Sequence, residues 1–133
     1  MAARHARLKE VLDLIDRMWD PDRGEEFDSF PTDSERPHVI VGVNSLELAA
    51  IAGRRADGVN VRWSSPHALD QLRAAREAAG GRPFELTAYT LHEEGISDPD
   101  HPVRRAAEEA GVDRLVVTHI GVPDAAEIER YRA

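Results

Sequence analysis

The sequence predicts an α/β protein in which four consecutive βα units follow a single leading helix. Three observations carry this. A β-branched run, Val39-Ile40-Val41, and a second strand-like run, Val59-Asn60-Val61, flank an Ala-rich stretch, which makes residues 36–63 one βαβ unit. Apolar runs continuous enough to be covered on two faces alternate with helical patterns further along, as they do in parallel sheets. Every stretch between successive strands is long enough for a right-handed parallel crossover.

The leading helix takes residues 1–20. Leu8, Val11, Leu12, Ile15, Met18 and Trp19 follow the spacing of one apolar helix face, with charged residues opposite, and Pro21 ends the pattern. Residues 21–37 are acidic and rich in turn formers, a surface loop anchored only by Phe27 and Phe30. Residues 38–133 then read as strand 38–42, helix 45–55, strand 58–62, helix 66–79, strand 84–91, helix 102–110, strand 114–118 and helix 124–132. Ser64-Ser65-Pro66 reads as an N-cap followed by Pro at the first helical position, and Gly80-Gly81 and Gly111 read as helix stops. Asp57-Gly58 reads as a tight turn in which Gly supplies a positive φ. Residues 93–101 form a second polar loop.

At 133 residues the chain is one domain by length, large enough to bury roughly two-thirds of its unfolded surface. Seventeen Lys and Arg against 25 Asp and Glu give a formal net charge of −8, which opposes nucleic acid as a partner. No apolar run approaches the roughly 18 residues of a membrane span, and MAARHARLKE lacks the apolar stretch of a signal peptide. A cytoplasmic protein with no membrane partner is expected. The absence of cysteine removes disulfides and thiolate chemistry, so demanding redox chemistry would have to come from a bound cofactor.

Ligands of parallel α/β sheets bind beyond the carboxyl ends of the strands. At that end of the first strand stand Gly42, Val43, Asn44 and Ser45, where N–H groups of the next helix point outward and can hold an anion. The same residues suit an ordinary helix N-cap by Asn44 or Ser45. Asn60 and Arg62 share one face of the second strand, opposite Val59 and Val61, and Arg62 could meet a phosphate or an acidic substrate, with a salt bridge to a neighbouring carboxylate as the plainer alternative. The six histidines show no metal-ligand spacing, and no metal site is expected. His92 and His119 differ from the rest because each lies at or just past a strand's carboxyl end, near Tyr89 and Thr118, where an imidazole can act as acid or base. A structural role for them is the plainer alternative, and Glu93-Glu94 beside His92 reads as a solvated acidic loop.

The segment VIVGVNSLELAAIAGRRADGV resembles the luciferase-like monooxygenase family, flavin- and deazaflavin-dependent (β/α)8 barrels whose usual pattern is close to IWVGGNSPxALRLAARxADGW. ARLKEVLDLIDRMWDPD looks like that family's RLxEaLevIraLWtgd helix, and AGVDRLVVTHIG like its final strand. These features belong to the C-terminal half of the family's TIM barrel. A complete barrel takes about 200–250 residues, so the resemblance implies a half barrel of four parallel βα units.

The resemblance further implies an oxidoreductase that uses FMN or the 8-hydroxy-5-deazaflavin coenzyme on a small-molecule substrate. By the resemblance Gly42, Val43, Asn44 and Ser45 would line the coenzyme phosphate; position at the strand ends, not the resemblance, adds Asn60 and Arg62 beside it and His92 or His119 as proton handlers. Val43 departs from the pattern, which has a second Gly there, and its Cβ would crowd a close phosphate approach. A half barrel would also leave two sheet edges and an inner face, lined by residues such as Val39, Val41 and Leu115, to be covered by a homodimer or a complementary barrel half. A flavodoxin-like sandwich is the competing monomeric arrangement. Two other functional readings accompany this one: a non-catalytic, partner-dependent module of the same fold, and a small phosphate-binding α/β protein.

Overall fold

A computed structural model of the chain describes residues 2–27 and 35–131. Helix α1 (Ala2–Met18) leads into β1 (Ile40–Val43), α2 (Leu46–Arg55), β2 (Gly58–Arg62), α3 (Ala68–Ala79), β3 (Glu85–Leu91), α4 (Pro102–Glu109), β4 (Arg114–Thr118) and α5 (Ala125–Glu129). The four strands form one all-parallel sheet in the order β1-β2-β3-β4. Between α1 and β1, the described part of the expected loop contains a short 3-10 turn, Glu25–Phe27, with the Arg17 guanidinium 5.4 Å from the Phe27 ring centre. Phe30, the other expected anchor, lies outside the described residues.

Register separates the two faces of the sheet. Val41, Val59 and Leu86 lie side by side, as do Val43, Val61, Ala88 and Leu115, and apart from half-buried Leu115 these side chains are buried. They pack with Leu12 of α1, Ala49, Ile51 and Ala52 of α2, and Leu72 and Ala75 of α3 in one core. Burying a Val or Leu fully contributes about 1.5–3 kcal/mol, so this layer supplies most of the driving force. The intervening row, Gly42, Asn60, Thr87 and Arg114, points the other way, followed by Arg62, Tyr89 and Val116. Tyr89, Leu91 and Val116 on that face are more than a third exposed. Val39, Val41 and Leu115, expected on the uncovered face, belong instead to the helix-covered side. A continuous β-branched run does not disclose which alternate residue faces which layer. The sequential strand order, with the described helices on one face only, also differs from a flavodoxin-like sandwich, whose strand order is permuted and whose helices cover both faces.

Helices α2 and α3 make the closest contact between helices. A Cβ on Gly53 would stand 2.2 Å from the Ala75 carbonyl oxygen and 2.8 Å from the Ala78 Cβ, so only Gly lets the two backbones approach this closely. Their Ala-rich facing sides serve the same end.

Three local expectations change. The first strand starts at Ile40 rather than at residue 38, because the backbone of Val39 is engaged by Asp57: Asp57 N–H donates to the Val39 carbonyl at 2.9 Å, and Val39 N–H to Asp57 Oδ2 at 2.8 Å. Gly58 has no positive φ; it opens β2, where a Cβ would stand 2.8 Å from the Glu85 carbonyl oxygen. Helix α3 starts at Ala68 after His67, not at a Ser-Pro cap: Ser65 Oγ accepts from His67 N–H at 3.3 Å, a local turn that holds Pro66 outside the helix. The stops at Gly80 (φ 64°) and Gly111 (φ 73°) lie in the left-handed region, as expected of helix ends.

Candidate functional site

The carboxyl ends of β1 and β2 bring several of the expected residues together. Ser45 takes extended backbone angles and its Oγ accepts from Leu48 N–H at 3.2 Å, capping α2, so the capping role is met by Ser45 rather than Asn44. The N–H groups of the first helical turn, including those of Leu46 and Glu47, have no carbonyl within the helix to receive them. Gly42 stands on the bare face with nothing within 4 Å of where a Cβ would lie, leaving open space over the turn. Val43 packs its side chain into the core, so its bulk is directed into the helix layer. Asn44 is exposed.

Asn60 is the register neighbour of Gly42, and its Oδ1 is buried without a hydrogen-bond partner. A buried acceptor left unpaired costs about 1–3 kcal/mol, so a donor brought to this spot would recover that cost. Two residues on, Arg62 lies exposed on the same face beside Tyr89. Its Nε donates to Ser64 Oγ at 2.9 Å, and among the described residues no carboxylate pairs with it. The Arg62 charge therefore remains available to an anion.

One pair at this end was not legible in the sequence. His5 of α1 is 8% exposed, and its Nδ1 lies 2.9 Å from Glu47 Oε1 in the first turn of α2. A carboxylate there is favoured by the helix dipole yet repels an approaching anion. The residues are 42 apart in sequence, and no spacing pattern links them.

His92 and His119 meet on the other side of the sheet. Leu91 pairs with Thr118, so the residues that follow them are neighbours: the rings stack at 4.3 Å between centres, and Tyr131 meets His119 edge-on at 5.8 Å. His92 N–H donates to the Thr118 carbonyl at 2.9 Å. Both rings line a hollow of about 320 Å³ with Leu91, Thr118, Ile120 and Val122, at the small end of ligand-pocket sizes. One strand, β2, separates β1 from this pair's nearer strand, β3, so the two groups stand two strand spacings apart, roughly 10 Å. The described chain thus holds two separate groups at one end of the sheet: the turn with Asn60 and Arg62, and the histidine pair. Among the described residues no group of three or more His, Asp or Glu is arranged to hold a metal ion, and no helix is long and apolar enough to cross a membrane.

At the opposite end, Glu85 accepts from Arg114 Nη2 at 2.9 Å and contacts His38 Nε2 at 3.0 Å. This neutralises the amino-terminal end of the bare face.

Fold and site define an α/β protein with an all-parallel sheet, covered by helices on one face and carrying both polar residues (Asn60, Arg62, Thr87, Arg114) and exposed apolar ones (Tyr89, Leu91, Val116) on the other. No protein-family model matches the chain, and no curated protein or solved structure does so either.

Proposed function

We propose that this chain is a luciferase-like oxidoreductase domain with the half-barrel fold, which binds the phosphate of FMN or of the 8-hydroxy-5-deazaflavin coenzyme at the turn formed by residues 42–45. The observation that carries the reading is the pairing of Gly42, with open space above it, beside Asn60, whose buried Oδ1 lacks a donor. A phosphate fits the first-turn N–H groups of α2, and a ribityl hydroxyl is a suitable donor to Asn60. Arg62 supplies positive charge on the same face. The resemblance of VIVGVNSLELAAIAGRRADGV to the family pattern supports the same turn.

The bound coenzyme would supply hydride transfer or oxygen activation. The chain's own residues would anchor its phosphate, orient its ribityl chain along β2, and hold a proton donor at the His92–His119 pair for a substrate over the mouth of the sheet.

The test is titration of the purified protein with FMN and separately with the deazaflavin coenzyme, followed by fluorescence, with Ser45→Pro as control because it removes an N–H from the turn. Saturable micromolar binding that the substitution weakens is the expected outcome. Failure of both coenzymes to bind, or binding indifferent to Ser45→Pro, overturns the reading.

The second reading is a non-catalytic, partner-dependent module, favoured by the exposed apolar residues Tyr89, Leu91 and Val116 on the face without helices. Binding of coenzyme with no turnover of any electron donor would support it. A small phosphate-binding α/β protein is the reading left if inorganic phosphate or a phosphosugar binds and neither coenzyme does.

A further inference from the structure

We infer that two copies of this chain close into one eight-stranded parallel barrel, with β4 of each pairing to β1 of the other in a defined register. Parallel sheets are almost always covered on both faces, yet among the described residues the helices pack on one face of this one only, and β1 and β4 are its two edge strands. Four strands in sequential order form half of an eight-stranded barrel, and closure removes both edges at once.

The register follows from the stagger already present. An eight-stranded barrel of parallel strands has a shear of about 8, so two-fold symmetry assigns about four residues of shift to each half. Arg114, the first residue of β4, is level with Gly42 rather than with Ile40, the first residue of β1, so the sheet already climbs toward its carboxyl end. Continuing that climb to a shift of four sets the partner's Ile40 beside Val116. A shift of the opposite sign would set it beside Glu108, inside α4, where there is no strand to pair with.

This register matches the edges residue by residue. On the inner face the partner's Ile40 meets Val116, and the partner's Gly42 meets Thr118. On the helix side the partner's Val39 meets Leu115, and the partner's Val41 meets Val117. Apolar residues thus pair with apolar residues at three positions, and a one-residue slip would turn each of them to the wrong face. Several exposed apolar side chains lie on the two edge strands or on the elements next to them: Val116 on β4, Ile120 and Val122 just beyond it, Leu46 at the start of α2, and Val11 and Leu14 on α1, which packs against α2. The Glu85 carboxylate, held between Arg114 and His38, lets the amino-terminal end of the bare face enter a barrel interior without an unpaired charge. At the other end, closure brings two Arg62 side chains to one mouth, so the partner contributes directly to the anion-binding end.

The chain contains no cysteine, which makes the register directly testable. Within one chain β1 and β4 lie three strand spacings apart, about 14 Å, too far for a disulfide, whereas neighbouring strands fall within reach. The unmodified protein is expected to scatter light with twice the 14.8 kDa mass of one chain. Ile40→Cys/Val116→Cys is expected to cross-link on oxidation into a species of that doubled mass. Ile40→Cys/Arg114→Cys, two residues out of register, is expected to remain uncross-linked. Val116→Lys is expected to halve the scattering mass without unfolding, because Val116 is already 40% exposed in the single chain.

A monomer at tens of micromolar, or cross-linking equal in both cysteine pairs, overturns the inference. So does a dimer that forms without cross-linking at 40 and 116. The inference stands apart from the coenzyme reading: a cross-linked dimer that binds no coenzyme refutes only that reading, and a monomer that binds coenzyme refutes only the dimer.

Discussion

Asp57 and Val39 clasp each other in both directions, with Asp57 N–H donating to the Val39 carbonyl at 2.9 Å and Val39 N–H to Asp57 Oδ2 at 2.8 Å. The same device recurs one pair of strands later, where Asp113 N–H donates to the Leu86 carbonyl at 2.8 Å and Leu86 N–H to Asp113 Oδ2 at 2.7 Å. In each case the aspartate stands immediately before a strand and fixes the start of that strand against another.

Asp57 also accepts from Arg36 Nη1 at 2.6 Å. Burial pushes the Asp57 carboxyl up, but the Val39 N–H and the Arg36 guanidinium together outweigh it and hold the group below its ordinary value. Its contribution to stability is therefore present in full above the unfolded-chain value of about 3.9 and is lost as pH falls through the lower folded value. Asp57→Asn keeps an acceptor for Val39 but loses the ion pair. A destabilisation of about 1–3 kcal/mol near neutral pH is expected in urea unfolding. That difference should shrink in acid as the wild-type carboxyl protonates.

Gly53→Ala places a methyl group where the Ala75 carbonyl oxygen already stands. Helices α2 and α3 must separate to admit it, at a cost of about 1–3 kcal/mol or more, read as a lower thermal midpoint. An unchanged midpoint would mean that the two helices are not packed this closely.

Gly42→Ala separates binding from folding. The added methyl meets open space, and Ala is favoured over Gly within a strand by about 0.5–1 kcal/mol, so stability should hold or rise slightly. The methyl nevertheless occupies the space over the turn, and weaker coenzyme binding in the titration is expected. Unaltered affinity would place the phosphate elsewhere.

His119→Ala removes the ring stacked on His92 and the contact to Tyr131. Faster hydrogen exchange in α5 is expected, with the exchange of β2 unaltered, since the loss falls on the last element rather than on the core. Coenzyme affinity should be unaffected, because the pair stands two strands away from the 42–45 turn.

Much of the fold was legible because the strands announce themselves: Val39 to Val41 are all β-branched, Val59 and Val61 are β-branched around Asn60, and the helices between them repeat at helical spacing. The orientation of the faces was harder to read, although Gly42, Asn60 and Thr87 carried the clue, being non-apolar at alternate positions of otherwise apolar strands. The Asp57 clasp was hidden because Asp57-Gly58 is also an ordinary turn dipeptide, and its partners lie 18 and 21 residues away. The Ser64-Ser65-Pro66 start failed because Ser65 bonds to the second residue after it, ending in a turn rather than a cap. The meeting of His92 and His119 was accessible in principle, since each follows the last residue of a strand and the two strands are neighbours. Their exact partnership needed the register.

Strand order that follows chain order has a bearing on how the protein is made. Each strand can dock on the one synthesised just before it, so the sheet can grow from β1 as the chain emerges, without waiting for distant sequence. Among the described residues β1 and β4 are then the two edge strands, and the partner that β1 has in this sheet is the strand made after it. Chains emerging side by side on one messenger would be the nearest source of a complementary edge, and a chain made in isolation would spend longest in the form most prone to stray pairing.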